Sequence, residues 1–299
     1  MTNTAISGVT TPYAFASLMD ILLNTRLAAD AVGATKMDRP EWTSVNPING
    51  ETYITCTENL DRGNIGSSGN SNTNPAADAA NPRCWLDNKG TAVQKGNVNG
   101  HIRRMRETGD DATAATFNWD SFLFGAQAKA DTGLDDTSYQ ANVALSGLSE
   151  FNDLSKPDGC WFSRASGILW IETDDNTYTD VANCMLLAAI PGKVGDGGPV
   201  TVVNKANGSP NITVTADVSV ATRMRKKLED AKFKRFLSAS KGAEVTSFAE
   251  SPDGKALFIN IQHPGENTST ANIGDSRKFE SSWPGNGSSA LGHCHDYQE

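Results

Sequence analysis

The sequence predicts an all-β fold, and within that class a β-propeller, on three observations. First, after an N-terminal segment with helical spacing, the 299-residue chain consists mainly of short apolar runs separated by Gly, Asn, Asp and Pro. Second, a turn that ends on Gly and leads into a short apolar strand recurs along the chain. Third, the copies are separated by wide and uneven intervals, which is typical of propeller blades with long insertions between strands. We therefore predict that residues 1–299 form a single propeller domain, which need not be complete.

The N-terminal segment has the apolar spacing of a helix. Its apolar residues recur every three or four positions, at Phe15, Leu18, Ile21, Leu22 and Leu27. This spacing predicts a helical segment over residues 15–34 that ends near Gly33. A second helix is predicted over residues 220–237, where Arg and Lys cluster, and the polar residues 63–80 are predicted to form a surface insertion.

The recurring phrase predicts β-hairpins. Each copy has a tight turn that uses a residue tolerant of positive φ, followed by a return strand. A β-sandwich with irregular loops would give the same local pattern, and the propeller is preferred because the copies share one strand-turn-strand phrase. The turns lie at residues 46–50, 164–167 and 251–254, and the strands that follow them lie at residues 51–55, 168–173 and 255–261.

Charge and hydropathy exclude two classes of partner. The 35 acidic and 26 basic residues give a net charge of −9, which repels a phosphate backbone and argues against nucleic-acid binding. No window approaches the roughly 20 uninterrupted apolar residues of a transmembrane helix. We expect neither a nucleic-acid partner nor a membrane span.

The cysteines predict neither a disulfide framework nor a zinc site. They are odd in number and lack CxxC pairs. We expect free thiols, with Cys160 and Cys184 in the core because their neighbours are apolar. The five positions are Cys56, Cys84, Cys160, Cys184 and Cys294.

The densest group of charged residues precedes the first hairpin. Pro40 biases Arg39 towards an extended conformation, so that Arg39 and Glu41 can project to the same side of a strand. One interpretation is a surface ion pair worth about 0 to 1 kcal/mol. The other is an anion clamp beside a metal ligand, in which Arg grips phosphate oxygens and Glu holds a hard cation. Spacing alone favours the ion pair.

Five further groups place acidic, amide or imidazole side chains at predicted strand ends. Each one alone is more often a turn or a solvated group than a ligand. Together they are typical of a multi-cation site, because such a site needs oxygen ligands from several segments. The groups are Arg83 with His101, Asp158, Glu172 with Asp174, Glu244, and His263 with Glu266.

Several of these phrases, in this order, resemble the PhoX family of secreted alkaline phosphatases. The resemblance extends over about residues 12–284 with gaps, and its two ends, around Arg39 and His263, are specific. The phrases lie at residues 25–42, 45–50, 80–83, 100–102, 157–159 and 258–266.

The resemblance implies a β-propeller phosphomonoesterase that uses Ca²⁺ together with Fe³⁺ in a multinuclear site. It implies Arg39 as a phosphate clamp, and Arg39 and Glu41 as catalytic residues. Arg83 and His101 are expected to contact a small phosphate monoester together with Arg39, whereas His263 shapes a turn. The metal ligands that it implies are Glu41, Asp158, Asp174, Glu244 and Glu266.

The chain also departs from the family pattern. It begins where the later half of the family begins, and it has no counterpart of the family's upstream metal-binding Cys, further carboxylates and twin-arginine export signal. We expect the C-terminal part of such an enzyme, with the upstream half of the propeller missing. The resemblance implies a periplasmic or extracellular location, although this chain has no export signal of its own.

Two alternatives to the phosphatase remain. A non-catalytic propeller fragment or calcium-binding module would use the same acids for a structural ion or for none. A calcium-dependent, lactonase-like propeller hydrolase would use a single-ion site. Metal analysis separates the first alternative from the phosphatase, and hydrolysis of a phosphate ester compared with a lactone separates the second.

Overall fold

The computed structural model describes residues 2–3, 13–63, 75–89, 92–128, 140–141, 145–176, 181–205 and 217–285. The chain divides into two compact units, Met1–Met37 and Asp38–Glu299. Each unit has its own secondary structure, and every candidate site residue lies in the second. In the described residues, no helix combines the length and the apolar character needed to cross a membrane.

The first unit contains a short strand pair and two short helices. Strands β1 (Thr2–Asn3) and β2 (Tyr13–Ala14) pair antiparallel, and helices α1 (Leu18–Leu23) and α2 (Thr25–Ala31) follow. The sequence predicted one helix over residues 15–34, and the structure divides it at Asn24. Its side-chain Nδ2 donates to the Asp20 carbonyl oxygen at 3.0 Å, which competes with the helical backbone hydrogen bonds. Gly33, at φ 69°, follows α2 as predicted.

The second unit is made of strands. Their bounds are β3 Pro40–Val45, β4 Thr52–Cys56, β5 Trp85–Lys89, β6 Ala92–Gly96, β7 His101–Glu107, β8 Phe117–Phe124, β9 Gln140–Ala141, β10 Pro157–Phe162, β11 Leu169–Thr173, β12 Met185–Ala189, β13 Gly198–Asn204, β14 Val218–Met224, β15 Phe233–Ser238, β16 Glu244–Glu250 and β17 Leu257–Gln262.

These strands form antiparallel meanders with insertions. The first meander is β3-β4-β7-β8, and the hairpin β5–β6 is inserted between β4 and β7. The second meander is β10-β11-β12-β15, and β13–β14 are inserted between β12 and β15. The third element is the hairpin β16–β17. The three predicted turns join β3 to β4, β10 to β11 and β16 to β17, so the predicted hairpins are confirmed.

The inserted strands β13–β14 pair with the first sheet. Strand β14 lies parallel to β8, with Met224 opposite Ser121. Strand β9 then pairs with β13 at the edge of the sheet. The order of this seven-stranded sheet is therefore β3-β4-β7-β8-β14-β13-β9.

The core lies between the faces of successive sheets. Tyr53 of the first meander makes edge contacts with Phe122 at 5.2 Å and with Phe162 of the second meander at 5.1 Å between ring centroids. Trp170 of the second meander stacks on Phe248 of the third element at 4.7 Å. Full burial of one such side chain stabilises a fold by about 1.5 to 3 kcal/mol. Strand β10 consequently contacts both β3 and β16.

The helix predicted over residues 220–237 is wrong. The segment contains β14, a connection and β15. In β14, Thr222 and Met224 are buried whereas Ala221 and Arg223 are exposed, which is the two-residue period of a strand. The Arg and Lys residues that suggested a helix flank this alternation, and pairing with β13 and β12 decides the conformation.

The all-β prediction is confirmed, and the described strands form several sheets without a closed barrel. Closure into a propeller remains a prediction. Four cysteines are buried free thiols, as expected, at Cys56, Cys84, Cys160 and Cys184. Cys294 lies outside the described residues.

Candidate metal centre

The first strand of each meander, β3 and β10, and the first strand of the hairpin β16–β17 carry an acidic residue near their start. In each case the acid lies two positions after a residue with positive φ, a conformation that reverses the chain direction sharply before the strand. The pairs are Arg39 (φ 47°) with Glu41, Lys156 (φ 48°) with Asp158, and Gly242 (φ 64°) with Glu244. Because β10 contacts both β3 and β16, this arrangement brings acids from distant parts of the chain to neighbouring strands.

Three carboxylates meet closely enough to bind one cation. Asp158 on β10, Asp174 directly after β11 and Glu244 on β16 each offer an oxygen, and these oxygens lie within 4.8 Å of one another. Carboxylate oxygens are the ligands that Ca²⁺ and other hard cations prefer. The structure therefore brings together three of the five predicted metal ligands, and the donor set fits the calcium that the sequence implied.

The electrostatics of the cluster favour protonation when no cation is bound. Burial, together with the charges of Glu41 and Asp174, raises the pKa of Asp158 to about 6, although Arg39 opposes the shift. The pKa of Glu244 is raised to about 7 by burial, by the charge of Asp174 and by a hydrogen bond to Asp174, against the opposing effect of His263. Like charges this close disfavour ionisation, and a bound cation removes the penalty.

A fourth carboxylate, Glu172, lies beside the cluster. Burial and, to a smaller extent, the charge of Asp158 together raise its pKa to about 7. Gly159 makes room for it, because a Cβ at that position would lie 2.1 Å from Oε2 of Glu172. The sequence located Glu172 near a strand end but did not assign it to the site. The signal was available, since a Gly directly after Asp158 in a strand marks a close approach.

Glu266 joins the cluster indirectly. His263, at φ 35°, places its Nε2 3.0 Å from Oε1 of Glu244 and its Nδ1 3.2 Å from Oε2 of Glu266. Burial alone would lower the His263 pKa, but the hydrogen bond with Glu244 and the charge of Glu266 raise it overall. Glu266 is thus held against the histidine, one side chain away from the three carboxylates.

Arg39 lies near Asp158. Its Nη1 donates to Oε1 of Glu58 at 2.7 Å and its Nη2 to Oε1 of Glu41 at 3.2 Å. The side chain is 57% exposed, and its charge is felt by Asp158. Both predicted groups, the guanidinium and the Glu41 carboxylate, therefore lie at the edge of the cluster. Sequence reasoning missed Glu58, which follows β4 and carries no local motif.

A pocket of about 480 Å³ opens beside the carboxylates. Asp174, Glu244, His263 and Glu266 line it, together with the Lys241 side chain. A polar concave site of this size next to groups of shifted pKa is typical of small-ligand binding.

Arg83 and His101 lie away from solvent. Both are completely buried. The guanidinium of Arg83 donates to the carbonyl oxygens of Gly125, at 2.6 Å, and Gly100, and Nδ1 of His101 lies 2.9 Å from Nδ2 of Asn97. A phosphate ester in solvent has no access to either side chain, so the expected substrate contact does not fit this placement. Arg83 satisfies buried backbone carbonyl oxygens instead, and His101 contacts a buried side-chain amide.

The fold and the site define a mostly β protein in which acidic residues of β10 and β16 and the acid that follows β11 form one carboxylate cluster. The sequence profile described as Alkaline phosphatase PhoX matches residues 4–265. The chain belongs to this family of phosphatases.

A solved structure agrees with the family assignment. The chain is similar to Pseudomonas fluorescens PhoX in complex with vanadate, a transition state analogue, at 29% sequence identity and a TM-score of 0.59. The match covers 89% of this chain and 36% of that chain, so this chain spans about a third of its length. A search of curated proteins gave no match.

Proposed function

We propose that the chain supplies a metal- and phosphate-binding part of a phosphomonoester hydrolase of the PhoX type. The single observation that carries the proposal is the meeting of three carboxylates from β10, from the end of β11 and from β16, with the Arg39 guanidinium at their edge. The substrate class is a small phosphate monoester, which the family membership and the vanadate complex of the relative support.

The acidic side chains have the chemistry to hold the cations. Asp158, Asp174 and Glu244 would form the first site, and Glu41 and Glu266, on either side, would extend it to further ions. Calcium fits an all-oxygen ligand set, and Fe³⁺ in the same cluster follows from the family resemblance. Bound cations supply charge neutralisation and Lewis-acid activation to phosphate-ester hydrolysis.

The chain's own residues bind and orient the phosphate. Arg39 is exposed and carries several N–H donors, so it can bind two phosphate oxygens at once. Its present partner Glu41 would move to a cation and leave Nη2 for the substrate. The shifted carboxyls Asp158 and Glu244 release their protons when a cation binds, because the cation stabilises their charged form. The reacting phosphate would then be bound by Arg39 beside the carboxylates that would hold the cations.

The topology supports a propeller arrangement for this function. Strands β3, β10 and β16 each begin a meander or hairpin, and they carry Glu41, Asp158 and Glu244. If each is the innermost strand of a blade, their starts converge at the propeller axis. We assign residues 1–299 to one partial propeller, with a periplasmic or extracellular location that follows from the family alone.

The test combines metal content with turnover. The full chain, purified and loaded with calcium and iron salts, should bind both metals and hydrolyse p-nitrophenyl phosphate but not a lactone. The double variant Asp158→Asn with Asp174→Asn should lose both properties. Asp253→Asn, in the exposed turn between β16 and β17, is the matched control. Calcium binding without hydrolysis would show that this chain by itself is a calcium-binding module and not an active enzyme, and lactone hydrolysis would reject the substrate class.

A further inference from the structure

The buried carboxylate of Glu58 contacts two cationic side chains, Arg39 and Lys156, at the edge of the cluster. Oε1 of Glu58 accepts from Nη1 of Arg39 at 2.7 Å, and Oε2 of Glu58 lies 2.6 Å from Nζ of Lys156. The Glu58 side chain is 11% exposed and that of Lys156 is 6% exposed, whereas Arg39 is mostly in solvent. Nζ of Lys156 also donates to Oδ1 of Asn176 at 2.5 Å. The ammonium is therefore fixed in place.

Arg39 and Lys156 occupy equivalent places in the first two meanders. Both have positive φ, both precede a proline, and both lie two residues before an acid of the cluster. A non-glycine residue in this conformation is strained and persists where its surroundings fix it. The third copy has Gly242 at this place. The two long cationic side chains from the strained positions thus reach the same carboxylate.

The charges of Arg39, Glu58 and Lys156 together can orient an exposed arginine without cancelling its charge. An exposed arginine has many rotamers, so a rigid partner is needed to point it at the cluster. A carboxylate partner alone would orient the guanidinium but also cancel its charge, and it would be costly to bury. With Lys156 on the other oxygen, Glu58 is compensated from inside the protein. The group of Lys156, Glu58 and Arg39 then carries a net charge of +1, which Glu41 offsets only while it is paired with Arg39.

We propose that Glu58 and Lys156 are positioning residues of the phosphate clamp, with Glu58 orienting the Arg39 guanidinium and Lys156 keeping its charge available to phosphate. The inference rests on the proposed function, because it needs Arg39 to bind phosphate. Neither Glu58 nor Lys156 touches the substrate, and both act through Arg39.

A double-mutant cycle on the full, metal-loaded chain tests the inference. The affinity for inorganic phosphate is measured by calorimetry in the original chain, in Lys156→Met, in Arg39→Ala and in the double variant. We expect Lys156→Met to weaken phosphate binding about tenfold when Arg39 is present and by less than about twofold when it is absent, since coupled residues are not additive. Lys205→Met, which removes the exposed ion pair with Asp217, is the control and should leave the affinity unchanged.

The outcomes separate the inference from the proposed function. An equal loss in both backgrounds overturns the positioning role, while a large effect of Arg39→Ala retains the clamp. If Arg39→Ala itself leaves phosphate affinity unchanged, the proposed clamp fails and the inference fails with it. Should Lys156→Met fold poorly, Lys156→Gln enters the same cycle.

A second readout needs no metal. Arginine side-chain NMR of the unloaded chain should show slow rotation of the Arg39 guanidinium and fast rotation in Glu58→Gln. Slow rotation in both proteins would show that Glu58 does not hold Arg39, and would overturn the inference whatever the activity.

Discussion

Nε2 of His263 lies 3.0 Å from Oε1 of Glu244 and so ties the loop after β17 to the acid at the start of β16. The same carboxylate oxygen accepts a hydrogen bond from Nε2 of Gln262 at 2.5 Å. The hydrogen bond from Gln262 and the contact with the His263 ring therefore hold β16 in register with β17. The contact places a titratable ring beside the carboxylates, so the stability of the cluster depends on pH.

We predict that the metal-free chain becomes less stable as the pH rises from about 4 to about 7. The pKa of Asp158 is raised to about 6 and those of Glu172 and Glu244 to about 7. The folded state therefore binds protons more tightly than the unfolded state in this window, and the free energy of unfolding falls with rising pH. The raised pKa of His263 acts in the same direction, because its contribution is lost as the pH rises through the folded value. The buried His101, whose pKa burial holds well below its usual range, acts in the opposite direction and is outweighed by the three carboxyls.

Thermal unfolding with chelator across this pH range measures the effect. Glu244→Gln should make the free energy of unfolding less dependent on pH. Near pH 8 it should raise that free energy by on the order of 1 kcal/mol, which corresponds to about 2 to 4 °C in Tm. Glu229→Gln, at an exposed position, should behave like the original chain. A stability that rises between pH 4 and 7 would contradict the prediction.

Glu41→Gln should reduce metal content and abolish hydrolysis of p-nitrophenyl phosphate. The substitution keeps the shape of the side chain but removes the negative charge that a hard cation needs. Elemental analysis of the purified variant, followed by turnover at saturating metal, checks both effects. Glu107→Gln is the control. It removes the same charge at the end of β7, from a residue that has no proposed ligand role. Unchanged metal content and turnover in Glu41→Gln would count against Glu41.

Arg39→Ala should weaken inhibition by vanadate by about 1 to 3 kcal/mol, the range of a charge-assisted hydrogen bond. This corresponds to roughly a 5- to 150-fold higher inhibition constant. Arg277→Ala removes a guanidinium that is 84% exposed and paired with Asp275, and it should leave inhibition unchanged. Equal inhibition of Arg39→Ala and the original chain would exclude the clamp.

Gly159→Ala should lower calcium affinity without unfolding the chain. The new Cβ would lie 2.1 Å from Oε2 of Glu172, so the carboxylate must move and disturb Asp158 beside it. We expect at least about a tenfold loss, because the carboxylates around a metal centre tune its ligands. Calcium titration by calorimetry measures it. Gly198→Ala, where a Cβ meets nothing within 4 Å, is the matched control, and equal affinities in the two variants would refute the expectation.

The sequence located the parts of the site that depend on local structure. The hairpin turns could be predicted because glycines that tolerate positive φ close them, at Gly50, Gly167 and Gly254. The meeting of Asp158, Asp174 and Glu244 depends on the order of the sheets, which hydropathy does not give, and the family resemblance implied only that these residues are ligands.

Other features were beyond local patterns. Glu58 and Lys156 lie far apart in the chain and meet only because the first two meanders pack together. Arg83 was expected near the substrate on its residue type, but a polar side chain in an irregular segment can equally satisfy buried carbonyl oxygens, as it does here. The error over residues 220–237 has a similar origin, since strand pairing overrode local composition.

The path of β13 and β14 through the fold affects how the chain unfolds. These strands leave the second meander, complete the sheet of the first through β8, and return to form β15. If the chain were cut between the two meanders, β13 and β14 would remain covalently attached to the second meander. The sheet of the first meander would then lose the strands that extend it beyond β8. The two halves are therefore interlocked, and we expect them to melt in one cooperative transition, with the metal centre lost in the same step.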